Sequence, residues 1–128
     1  MFFPINISNS HWVLVIALMQ QKRILYRDAM KGKGEQYTAA IMKYLCDEAL
    51  NKLGLAMTQK EQDLWDVQPF PPLKSPQQQN GFDCGMFVCM YADYMLQDLP
   101  EQFGQQDMPM LRRKICYCVL TGCLLYTV

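Results

Sequence analysis

Apolar residues open the chain in two short runs, Phe2 to Ile7 and Trp12 to Met19, separated by the polar Ser8-Asn9-Ser10. Runs of this length, rich in Val and Ile and bounded by turn residues, predict two strands around a turn, and Arg23 to Asp28 predicts a third. Because Trp12 to Met19 is apolar at successive positions, that strand is expected to be covered on both faces and central in its sheet. His11 is its entry residue. From Glu35 to Leu53 the period changes: Tyr37, Ala40, Ile41, Tyr44, Leu45 and Leu53 recur at helical spacing, and Gly54 supplies a stop. Trp65 to Phe70 reads as another strand, with Trp65 in the core. Pro69, Pro71, Pro72 and Pro76 then forbid regular structure and lead into the triplet Gln77 to Gln79. Phe87, Met90, Tyr91, Tyr94 and Met95 predict an amphipathic helix that starts near Asp83 and Cys84. A last helix is expected from Pro109 to Val119, with Leu111, Ile115 and Val119 on one face. The elements together predict an α+β fold with a small sheet, without internal repeats.

Length changes this picture little: 128 residues support one domain, residues 1–128, with a modest core. Charge excludes more. Lys plus Arg and Asp plus Glu each total 12, so no general attraction to nucleic acid or to an anionic membrane is expected, and a partner must be recognised locally. The Trp12–Met19 run is far shorter than the roughly 20 apolar residues of a spanning helix. Six cysteines without a secretory leader or regular spacing favour reduced thiols in the nucleus or cytoplasm.

The chemistry concentrates in Asn80-Gly81-Phe82-Asp83-Cys84-Gly85, where a thiol stands at the entry of a helix. Unpaired amides and the positive end of the helix dipole favour the thiolate, the form that attacks a carbonyl. Gly85 leaves room beside the sulfur, and Asp83 can cap the helix through its side chain. A nucleophilic thiolate needs a basic partner, and the chain has one histidine, His11. Asp28, at the end of the neighbouring strand, could orient the imidazole and stabilise its charged form. The oxyanion of acyl transfer needs donors, for which the Cys84 amide and a glutamine of the triplet are candidates, Gln78 preferred over Gln77 and Gln79.

Taken in order, Phe3-Pro4-Ile5, His11-Trp12, Tyr26 to Asp28, Gln78 to Gly85 and Met108-Pro109 resemble the SUMO-specific cysteine proteases, the Ulp or sentrin-specific family of the adenovirus-protease-like group. The resemblance implies a papain-like fold. It implies that His11, Asp28 and Cys84 match the family triad, that Gln78 matches its oxyanion glutamine, and that Trp12 matches the indole forming a narrow tunnel over a diglycine tail. A flat aromatic wall leaves space for glycine and none for a β-carbon. It also implies cleavage after the diglycine of SUMO or a related ubiquitin-like protein, in maturation or in deconjugation from lysine, without a metal or cofactor. Two departures stand out. Ala29 and Arg27 replace a serine and an aromatic common in the family, and the chain starts at the Phe-Pro-Ile strand, as expected of the C-terminal part of such a domain.

Plainer readings exist for each residue. Cys84 could be a packing thiol, His11 and Asp28 ordinary strand-edge and turn residues, and Trp12 part of the core. Cys116, Cys118 and Cys123 lack a neighbouring histidine and a metal-knuckle spacing, so they read as helix-packing thiols. Arg112, Arg113 and Lys114 read as a solvated helix face. A second function is a binding module, a catalytically impaired fragment that holds SUMO or another ubiquitin-like protein without turnover.

Overall fold

The computed structural model describes residues 1–125. Its sheet has four strands in the order β1-β2-β3-β4, with β1 at Phe2–Ile7, β2 at His11–Leu18, β3 at Arg23–Arg27 and β4 at Asp66–Gln68. The first three strands form two antiparallel hairpins, Ile7 facing His11 and Leu18 facing Arg23. Ser8 and Asn9, both at positive φ, make the first turn, a conformation to which short polar residues are suited. β4 runs parallel to β3. A parallel pair needs a crossover, and α1 (Glu35–Leu53) with the short α2 (Gln59–Asp63) provides it.

The unbroken apolar run of β2 has the predicted consequence. Alternate residues feed two separate cores, because successive side chains point to opposite faces. Leu14 and Ile16 join Leu25, Phe87, Met90, Tyr91, Met108 and Leu111 beneath α3 (Cys84–Leu96) and α4 (Met108–Thr121). Val13, Val15 and Ala17 join Ile24, Tyr26 and Leu45 beneath α1. All five central residues of β2, Val13 to Ala17, are buried.

Helix α1 ends as expected, at Gly54 with φ of 66°, a backbone conformation that costs glycine nothing. Three details depart from the sequence reading. Trp65 lies partly buried at the border of the α1-side core, just before a strand reduced to three residues. α2 was not anticipated; Thr58 and Glu61 form its capping box, with Glu61 N donating to Thr58 Oγ1 at 3.2 Å. α4 outruns the surface it packs on: Met108 and Leu111 are buried, Ile115 only packs against the core edge, and Val119 is 76% exposed. Among the described residues no helix is long and apolar enough to cross a membrane.

Candidate active site

The start of β2 and the end of β3 lie side by side because Leu14 pairs with Arg27. That register brings the first two predicted residues together: His11 Nε2 is 2.7 Å from Asp28 Oδ1. Asp28 is buried at 3% exposure, and its burial is compensated. Met30 N donates to Oδ1 at 2.8 Å, while Gly32 N at 3.0 Å and the Tyr26 hydroxyl at 3.2 Å donate to Oδ2. A carboxylate that accepts this many bonds has its direction fixed. Burial, reinforced by the Asp28 charge, pushes the Tyr26 phenol well above its ordinary range, so it stays a donor. Gly32 has a steric reason to be glycine, since a β-carbon there would lie 2.5 Å from Asp28 Oδ2.

Cys84 is the first residue of α3 and is 7% exposed. The helix packs along β2, and Trp12 marks the junction: a β-carbon built on Gly85 would lie 3.8 Å from Trp12 Cδ1. The turn bearing Cys84 and the His11-Trp12 strand start therefore share one edge of the molecule. Trp12 is 41% exposed, so it lies on the surface beside this turn rather than in the core. With Nε2 of His11 committed to Asp28, Nδ1 is the ring nitrogen left for a thiol.

The glutamine loop is attached to the same edge. Gln78 N donates to Ala29 O at 3.0 Å, just beyond Asp28, and the Tyr91 hydroxyl of α3 donates to Pro76 O at 2.5 Å. Gln77 and Gln79 are exposed, whereas Gln78 is partly buried. Its Nε2 donates to Asn80 O at 2.6 Å, and its Oε1 is buried without a hydrogen-bond partner. Buried polar atoms left unpaired are rare.

Two expectations are corrected here. Asp83 does not cap α3 through its side chain. Its carboxylate is used up elsewhere, by Asn80 Nδ2 and Gln105 Nε2 at 2.7 Å each and by Arg112 Nε at 2.9 Å. Arg112 is accordingly not a merely solvated residue of α4, although it keeps 48% exposure. Gln105 also accepts from Gln79 N at 2.8 Å, and Asn80 Oδ1 accepts from Asp83 N at 3.0 Å. Asn80 lies within the motif and had a local signal, an Asx turn before a helix. Gln105 and Arg112 had none.

The chain also has relatives of known kind. Residues 1–119 match the model described as Ulp1 protease family, C-terminal catalytic domain. Sentrin-specific protease 2 of Homo sapiens is 38% identical over 110 residues, which are 86% of this chain and 18% of that protein. Ubiquitin-like-specific protease 1 of Saccharomyces cerevisiae is 35% identical over 127 residues, 96% of this chain and 19% of that protein. The crystal structure of the C-terminal Ulp1 protease domain in complex with Smt3, the yeast ortholog of SUMO, superposes with a TM-score of 0.74 at 32% identity, over 94% of this chain and 51% of the solved one. The chain thus spans under a fifth of these curated relatives and about half of the solved domain. A histidine-aspartate pair at a strand end, a thiol opening the adjacent helix and a match over residues 1–119 lead to one conclusion: the chain belongs to the Ulp1 protease family, in its C-terminal catalytic domain.

Proposed function

We propose that this chain is the part of a SUMO-specific cysteine protease that carries the hydrolytic chemistry, cutting the amide after a C-terminal diglycine. The carrying observation is the 2.7 Å bond from His11 to a fully hydrogen-bonded Asp28, on the edge shared with Cys84. In this reading Asp28 orients the imidazole, His11 accepts the thiol proton, and the Cys84 sulfur adds to the scissile carbonyl. The Cys84 amide and Gln78 Nε2, released from Asn80 O, donate to the oxyanion. As the carbonyl re-forms, the amine leaves with the proton from His11, and water then hydrolyses the thioester. Trp12 forms one wall over the diglycine, where absent side chains let the tail lie flat.

The partner is SUMO or a related ubiquitin-like protein, and six unpaired thiols suit a reducing nucleus or cytoplasm. A binding-module reading draws support from an apolar groove of about 510 Å³ between α3 and α4, lined by Met90, Leu111, Ile115 and Val119. One experiment separates the two. A SUMO C-terminal probe with a thiol-reactive end is incubated with the wild-type chain, Cys84→Ala and His11→Ala. Labelling of wild type alone is the result expected. SUMO binding without labelling by any of the three would replace the protease with the module.

A further inference from the structure

The residue before Cys84 bears a carboxylate for which the hydrolysis above has no use. Asp83 is 3% exposed, and Arg112 completes its shell with Nη2, 2.5 Å from Oδ1. An anion beside a thiol that must ionise is unfavourable by itself, and its burial adds a desolvation cost. Burial alone would push this carboxyl up, yet the bonds from Asn80, Arg112 and Gln105 outweigh it and hold Asp83 below its ordinary range.

The arrangement does more than neutralise a charge. Arg112 Nη2 also donates to the Phe82 carbonyl at 3.2 Å, and Asn80 Oδ1 takes the Asp83 amide at 3.0 Å, so the peptide between Phe82 and Asp83 is held at both ends. The next carbonyl, that of Asp83, accepts from Phe87 N at 3.0 Å. Two successive peptide groups thus have their directions set immediately before Cys84, whose own amide, in the first helical turn, has no intrahelical acceptor. A planar, forked donor grips a carboxylate and a neighbouring carbonyl together in a fixed relative geometry, which a point-charge ammonium does not impose. Resting on the protease reading, we propose that Arg112 is a positioning residue for acyl transfer, holding the Phe82–Cys84 backbone so that the Cys84 amide and sulfur address the same substrate carbonyl. The grip comes from 29 residues away, and it makes the seating of α4 a condition for the geometry of the nucleophile.

The test uses Arg112→Lys and the doubly neutral Asp83→Asn/Arg112→Gln, which removes the fork without leaving a charge beside the thiol. Amide exchange of Phe82–Gly85 in the double variant should rise about tenfold, with Phe87–Tyr91 unchanged. On SUMO bearing a fluorogenic amide, kcat should fall about 10- to 100-fold while KM stays within about twofold. Arg112→Lys should recover part of that loss. Alkylation of Cys84 by iodoacetamide, which needs the sulfur but no oxyanion donor, should stay within about threefold of wild type. Unchanged exchange at Phe82–Gly85, an equal rise along α3, or alkylation falling in step with kcat would each overturn the assignment. If wild type is alkylated at Cys84 but turns over no amide, the protease reading fails, and the exchange measurement alone decides whether Arg112 holds the segment.

Discussion

Asp28 and Asp83 are both buried carboxylates at the same edge of the molecule, and they are held in opposite ways. Every donor to Asp28 except His11 comes from within four residues, namely Tyr26, Met30 and Gly32. Asp83 has one local donor, Asn80, and otherwise depends on Gln105 and Arg112, 22 and 29 residues further on. The first cradle forms once a strand turns into its loop. The second exists only after α4 has docked on α3. The difference teaches that the two halves of the candidate site should fail differently: the base half by local substitution, the nucleophile half by loosening a helix.

The largest effect should come from emptying the local cradle. Asp28→Ala leaves His11 without its orienting partner, and turnover should drop about 10²- to 10⁴-fold. The amides of Met30 and Gly32 and the Tyr26 hydroxyl lose their acceptor as well, at a cost of about 1–3 kcal/mol measured by urea unfolding. Turnover within a few-fold of wild type would break the comparison, because Asp28 would then be only a turn residue. Gly32→Ala is a gentler probe of the same place. Its β-carbon would press on Asp28 Oδ2 from 2.5 Å, and a carboxylate displaced by part of an ångström should cost about tenfold in kcat. Full activity in this variant would show that the cradle yields without moving His11.

The smallest effect concerns acid. Asp83 is held below its ordinary range in the folded chain, so its contribution to stability is present above the usual aspartate range and is lost as pH falls through the depressed folded value. Asp83→Asn should therefore flatten the acid limb of the stability curve, read as urea midpoints between about pH 5 and pH 2. An acid limb identical to that of wild type would mean that the distant network adds nothing to folding.

Much of this was legible in the residues, and the reasons are local. The unbroken apolar run of β2 announced a strand buried on two sides, and Val13 to Ala17 obey it. The helical period around Phe87, Met90 and Tyr91 located α3, and with it the thiol at its first turn. His11 and Asp28 end adjacent strands, so a two-hairpin sheet was enough to bring them together. Trp12 was open between wall and core, and its exposure excludes the core. Val119 shared the helical period of Leu111 yet points to solvent, because periodicity marks a face without saying how far the neighbouring surface extends.

Element type, strand order within the hairpins and the helix-start thiol were set by the sequence itself, since periodicity and turn chemistry act over a few residues. What only the tertiary structure decided is which side chains meet across long separations. Arg112 lies in a run of three basic residues, and nothing in that run distinguishes it from Arg113. The seating of α4 selects it, because a fork of fixed shape engages Asp83 and Phe82 only from one place and direction. Asp83 likewise looks like a helix cap in one dimension, and becomes the centre of a hydrogen-bonded ion pair once Asn80 and two distant donors, Gln105 and Arg112, occupy its carboxylate.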